Sequence, residues 1–148
     1  MPKQRLNETT ETNRLKKDIG ARYKTAFIQK IHQGTYGAGL PDLFVIQGGH
    51  CYWMEIKVGN NKPTERQANT MAKMRRAGVR VAVVTIHVFN DHSVRMWQMT
   101  IKPPECDDYD FTDVGIAIER ERGQSWDVER LFEYMDNCYT TDDQPYPR

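Results

Sequence analysis

Two short apolar runs, Asp42–Gln47 and Cys51–Val58, flank the dipeptide Gly48-Gly49. A two-residue hairpin loop needs positive φ at its central positions, which glycine adopts without steric cost, so the segment reads as an antiparallel β-hairpin. The turn fixes the register. Gln47 faces His50, and counting back places Asp42 opposite Glu55. Side chains alternate with period two, so Lys57 shares the face of Glu55 while Tyr52, Met54, Ile56 and Val58 point the other way. A three-residue loop would slip the register by one and separate the two acids.

Directly opposed Cβ atoms lie about 4.5–5.5 Å apart, close enough for Asp42 and Glu55 to repel or to share one cation. Magnesium suits such a pair, because it takes oxygen ligands and keeps several waters, leaving room for a substrate phosphate. Lys57 beside them is placed to orient an attacking water or to neutralise charge building on a phosphoryl oxygen. The alternative is a solvated polar face with an ordinary lysine–carboxylate pair.

Around the hairpin the chain alternates helices and strands. Leu15, Ile19 and Tyr23 recur every four residues and predict an amphipathic helix from Glu11 to Tyr23. Thr25–His32 predicts a short strand, and Gln33–Gly39 a glycine-rich connection whose Tyr36 is placed to close over a backbone. A helix over 65–77 ends at Gly78, a strand follows over Val79–Ile86, and a further strand over His92–Met99 comes after a turn at Asn90-Asp91. Glu105–Asp113 reads as an acidic loop. Val128, Leu131, Phe132 and Met135 form an i, i+3, i+4, i+7 stripe on a helix near 126–138 capped by Ser125, and Tyr139–Arg148 reads as disordered. The fold class is α/β: a mixed central β-sheet flanked by helices in the order α-β-β-β-α-β, with an acidic C-terminal helical extension. The boundaries are 11–102 for the core and 105–148 for the extension.

Charge divides at the same place. The 148 residues carry 21 Lys+Arg and 20 Asp+Glu, a net +1. Residues 1–104 hold 17 basic and 7 acidic groups, a net +10, whereas residues 105–148 hold 4 and 13, a net −9. A basic body favours a polyanion partner. The longest apolar runs, such as Leu43–Ile46 and Val81–Val84, are four residues; a membrane span needs about 20. Cys51, Cys106 and Cys138 are odd in number and lack metal-knuckle spacing, which fits reduced thiols in a cytoplasm.

Gly39-Leu40-Pro41-Asp42-Leu43, then Glu55-Ile56-Lys57, then Pro63-Thr64-x-x-Gln67 resembles the PD-(D/E)XK nuclease superfamily, and within it the VRR-NUC branch of virus-type replication-repair nucleases. The resemblance covers about residues 11–86 and implies a restriction-endonuclease-like core. It also implies that Asp42 and Glu55 bind Mg²⁺ or Mn²⁺, with the Ile56 carbonyl as a further ligand, and that Lys57 positions the water. Glu11 would complete the metal site from the first helix. It lies about 30 residues before the Pro-Asp, as the family pattern has it. The branch implies branched DNA such as Holliday junctions, a homodimer, roles in DNA repair or recombination, and a phage origin that would put the protein in a host cytoplasm.

Two of these residues have local alternatives. Glu11 is also an acid in the first turn of a helix, where the macrodipole favours it. The resemblance makes Gln67 a catalytic residue near Lys57 or the scissile phosphate, but Thr64-Glu65-Arg66-Gln67 is also a capping box, which would occupy its side chain with helix N–H groups; the two roles compete for one side chain. Arg14, Lys17, Lys30, Lys62, Arg66, Lys73 and Arg76 are the candidate DNA contacts, and phosphate contacts of this kind supply affinity rather than sequence readout. The expected activity is a Mg²⁺- or Mn²⁺-dependent deoxyribonuclease, an endonuclease hydrolysing phosphodiester bonds. Two rival readings are a non-catalytic DNA-binding module of the same fold and a protein-interaction factor acting through the acidic segment.

Overall fold

The hairpin forms as its glycines dictate. In the computed structural model, which describes residues 6–31, 39–104 and 115–140, Gly48 and Gly49 take φ of 60° and 81°. Strand β2 (Leu43–Gln47) pairs with β3 (His50–Val58), with Gln47 opposite His50 and Leu43 opposite Met54. That is the register expected from a two-residue loop. Strand β1 (Phe27–Lys30), shorter than the expected Thr25–His32, adds on the outer side of β2.

Helix α1 (Glu8–Arg22) precedes β1 and starts three residues before the expected Glu11. The cause is Asn7, whose side-chain oxygen accepts from the N–H groups of Thr9 and Thr10 at 2.8 and 3.2 Å. After β3, helix α2 (Glu65–Arg76) crosses over and returns the chain as β4 (Arg80–Asp91), parallel to β3 with Glu55 beside Val83 and Lys57 beside Thr85. A parallel neighbour requires such a crossover. The next turn is not Asn90-Asp91. Strand pairing runs on to Asp91 opposite Val94, and His92 and Ser93 turn the chain with φ of 48° and 71° into β5 (Val94–Lys102). His92 Nδ1 lies 2.7 Å from Asp91 Oδ1, a local contact that helps hold the left-handed turn.

A sixth strand, β6 (Ile116–Glu121), which sequence reasoning did not assign, pairs antiparallel with β5. Its inward positions are Ile118 and Arg120. Arg120 lies between the rings of Trp97 and Trp126, 4.7 and 4.8 Å from their centroids. An arginine at an inward position breaks the apolar alternation by which a strand is normally read. Helix α3 (Val128–Thr140) follows. Its N-terminal N–H groups are served by Asp127, whose Oδ1 accepts from Arg130 N at 3.2 Å, rather than by the expected Ser125. The expected stripe holds: Val128, Leu131, Phe132 and Met135 are all buried.

The sheet order is β1-β2-β3-β4-β5-β6, with a helix layer on each face. Leu15 and Ile19 of α1 and the α3 stripe pack on Tyr52, Met54, Ile56, Val84, Ile86, Met99 and Ile101. On the opposite face, Met71 of α2 packs on Val81 and Val83, with Trp53 at the margin. This is the mixed α/β architecture expected. The division at Pro104 is one of charge and not of packing, because β6 and α3 belong to the same core as α1 and the central strands. Acids of the C-terminal segment pair with the basic body: Glu129 with Arg22 at 3.0 Å and Asp136 with Arg80 at 2.9 Å. Asp136 also accepts the Tyr52 hydroxyl at 2.7 Å. The expected acidic loop at Glu105–Asp113 lies outside the described residues. No helix among the described residues is long and apolar enough to cross a membrane.

Candidate active site

Asp42 stands one residue before β2, after Pro41. Its backbone carbonyl accepts from Ile31 N at 2.7 Å, which ties it to the end of β1. Its side chain turns across the hairpin, where Oδ2 accepts from Ile56 N at 3.3 Å. Glu55, on β3, points to the α2 face and is fully buried. Lys57 Nζ lies 3.3 Å from Glu55 Oε1, and Gln67 Nε2 donates to the same oxygen at 3.3 Å. The hairpin register, the period of β3 and the first turn of α2 thus bring Asp42, Glu55, Lys57 and Gln67 together.

Gln67 forms the expected capping box and also reaches Glu55. Its Oε1 accepts from Thr64 N at 2.9 Å while its backbone N–H donates to Thr64 Oγ1 at 3.2 Å, completing a capping box. The amide nitrogen remains for Glu55. A carboxamide carries an acceptor and a two-hydrogen donor on one planar group, so the competition expected from sequence does not arise.

Glu55 is the electrostatically stressed group. Burial, a hydrogen bond shared with Asp42 and repulsion from the Asp42 charge raise its pKa from 4.5 to about 8, against an opposing pull from Lys57. Its Oε2 is buried and meets no donor among the described residues. A buried carboxylate oxygen with no donor, beside a second carboxylate, requires a proton or a cation. The donor set therefore fits a hard divalent cation. Among the described residues no cluster of three or more Asp, Glu, His or Cys side chains is assembled. A cation held here would complete its shell from water, backbone oxygen or substrate, which is the habit of magnesium.

The α1 acid that reaches the cluster is Glu8, with Oε1 4.0 Å from Lys57 Nζ. Glu11, one turn along, is buried; desolvation raises its pKa while Arg120 and Arg14 oppose the rise. The apolar period of α1 begins at Leu15 and leaves Glu8 outside the expected helix; the sequence signal that includes it is Asn7 followed by acids in the first turn. Ile56 presents its N–H to Asp42 and buries its side chain in the opposite core.

The candidate DNA contacts separate by position. Lys62 and Arg66 are exposed at the entrance to α2, next to Gln67. Gly39 passes close to α2: at φ 92°, a Cβ there would fall 2.7 Å from Thr70 Oγ1 and 3.4 Å from Arg66 Cγ. Lys73 and Arg76 are exposed at the other end of α2, about 10 and 15 Å from Arg66 by helical rise. Lys17 is exposed on α1 and Lys30 half-buried on β1. Arg14 is committed within the protein, to Asp18 Oδ2 at 3.2 Å and the Gln124 carbonyl at 2.6 Å. Tyr36 lies outside the described residues.

No protein-family model and no curated protein sequence matches the chain. Among solved structures it is similar to the Holliday junction resolvase Hjc of Archaeoglobus fulgidus. The TM-score is 0.43 and the identity 12%, over 73% of this chain and 88% of that one. The functional case therefore rests on the chain's own residues.

Proposed function

We propose that the protein is a Mg²⁺- or Mn²⁺-dependent nuclease that hydrolyses DNA phosphodiester bonds, with branched DNA such as a four-way junction as substrate. The observation that carries this reading is the buried Glu55 carboxyl, in hydrogen-bonding range of Asp42 and flanked by the nitrogens of Lys57 and Gln67. Asp42 and Glu55 would hold the cation, with the Ile56 carbonyl beside them. A bound divalent cation supplies the charge that polarises a phosphate oxygen and eases deprotonation of the attacking water.

The chain's own groups do the rest. Lys57 carries a positive charge within reach of Glu55, where it orients a water and offsets charge developing on the phosphoryl group. Gln67 holds the Glu55 carboxylate in one rotamer. Glu8 restrains the Lys57 ammonium from the opposite helix layer. The N-terminal ends of α1 and α2 both adjoin the cluster, through Glu8 and through Thr64 and Gln67. Their partial positive charge favours a phosphate. Lys62 and Arg66 at the rim extend that field.

The test is a cleavage panel of blunt duplex, flap, single-stranded and four-way-junction DNA with Mg²⁺ and Mn²⁺. Cutting that is abolished by chelator and by Asp42→Ala, Glu55→Ala and Lys57→Ala in folded proteins supports the proposal. A folded, metal-supplemented parent that cuts none of the four overturns it.

A further inference from the structure

Helix α2 covers β3 and β4 on its face of the sheet, through Met71, Val81 and Val83. Among the described residues no helix covers the same face of β5 and β6, and Ala117, Glu119 and Glu121 of β6 are exposed there. Beside α2 this bare half of the sheet forms a cleft of about 680 Å³, walled by the 59–62 loop that leads into α2 and by Gly115–Ala117.

Its floor is continuous with the candidate active site. Lys57 pairs with Thr85 on β4, Thr85 with Thr100 on β5, and Thr100 with Ala117 on β6. One row of the sheet therefore runs from Lys57 across the cleft. Three strand spacings make it about 14 Å long. At about 3.4 Å per stacked nucleotide this is the length of roughly four nucleotides.

The lining has a consistent chemistry. Lys62 and Lys102 stand on it, with His87, Gln98, Asn60 and Asn61 between, and among the described residues no carboxylate lines it. Glu119, at the margin, accepts from Gln98 Nε2 at 3.2 Å, which leaves the Gln98 oxygen as its remaining acceptor. Lysines match phosphates. Amides, threonine hydroxyls and an imidazole match base edges, which a strand offers in full only when unpaired.

We infer that this cleft binds a short unpaired DNA strand next to the bond cut at Lys57. The inference deepens the nuclease reading and rests on it for the place of the cut. It makes the substrate a duplex that carries a single-stranded tail or an opened branch point.

Binding can be tested apart from cutting. With chelator present, fluorescence anisotropy would measure the affinity of the whole chain for duplexes with single-stranded tails of 0, 2, 4 and 8 nucleotides, of both polarities. One polarity should bind more tightly as the tail grows and level off at about four nucleotides. Ala117→Glu should lower the ratio of tailed to blunt affinity by about tenfold, and Ala117→Lys should raise it. Thermal melting of each variant identifies any that misfold, and the opposite signs of the two keep the test decisive. Affinity that ignores tail length, or a ratio unmoved by both substitutions, overturns the cleft. A tail preference that responds at Ala117, in a protein that cuts nothing with Mg²⁺ or Mn²⁺, upholds the cleft as a binding site and overturns the nuclease reading alone.

Discussion

Gln67 reaches Glu55 across 3.3 Å through its amide nitrogen while its amide oxygen caps α2 at Thr64, so one side chain couples the helix start to the buried acid. The coupling can be taken apart. Gln67→Ala removes both contacts and should lower stability by about 1 kcal/mol, the usual size of a lost cap interaction. Gln67→Glu keeps an oxygen for Thr64 but sets a third carboxylate beside Asp42 and Glu55. It should reduce cleavage more than Gln67→Ala does, with a melting temperature nearer the parent's. Parallel melting curves and single-turnover rates check both.

The raised pKa of Glu55 gives a pH signature. Its folded pKa of about 8 exceeds its ordinary 4.5, so between those values the native state holds a proton that the unfolded chain has released. The chelated protein should therefore lose stability as pH rises through that window, by at most about 1.4 kcal/mol per pH unit, and level off above it. Cation binding requires the ionised form, so the gain in melting temperature on adding Mg²⁺ should grow over the same range. Glu55→Gln should remove both slopes. Melting curves from pH 5 to 9, with chelator and with Mg²⁺, read them.

Glu8 and Glu11 should behave differently although they lie on one face of α1. Glu8→Gln removes the acid near Lys57 and should lower the cleavage rate several-fold with little change in melting temperature, since Glu8 is only half-buried and its contact with Lys57 is long, 4.0 Å. Glu11→Gln replaces a buried acid whose charged form desolvation disfavours more than Arg120 and Arg14 favour it, so it should leave the cleavage rate near the parent's and should not lower the melting temperature. A large rate loss with unchanged stability for Glu11→Gln would instead return it to the metal site.

What the sequence made legible follows from how local each signal is. The relative positions of Asp42, Glu55 and Lys57 are legible because a Gly-Gly turn and a period of two leave one register. The α3 stripe was legible because Val128, Leu131, Phe132 and Met135 repeat without interruption. Strand β6 was hidden by Arg120, whose burial depends on Trp97 and Trp126, residues distant in sequence. The cleft beside the site was also hidden, because it exists only where α2 stops short of β5 and β6. Charge counting located the change in composition at Pro104 but could not show that the acidic segment completes the core.

That last point reverses an obvious experiment. If residues 105–148 were a detachable acidic competitor for DNA, deleting them would leave a folded protein with tighter, more salt-sensitive binding. The structure removes the premise. Deletion would take away β6 with Arg120, the Trp126 packed on it and the buried Leu131, Phe132 and Met135, and would expose Tyr52, Met54 and Ile56. The truncated chain should show no cooperative melting transition. A milder probe is Leu131→Ala, which should cost about 2–5 kcal/mol as a fully buried leucine does. Cutting by the folded fraction should be unchanged, since Leu131 lies on the sheet face opposite Glu55 and Lys57. Calorimetry on both variants, with cleavage measured well below the melting temperature of Leu131→Ala, separates the two views. A truncated chain that melts cooperatively and binds DNA more tightly would make the segment an appendage after all.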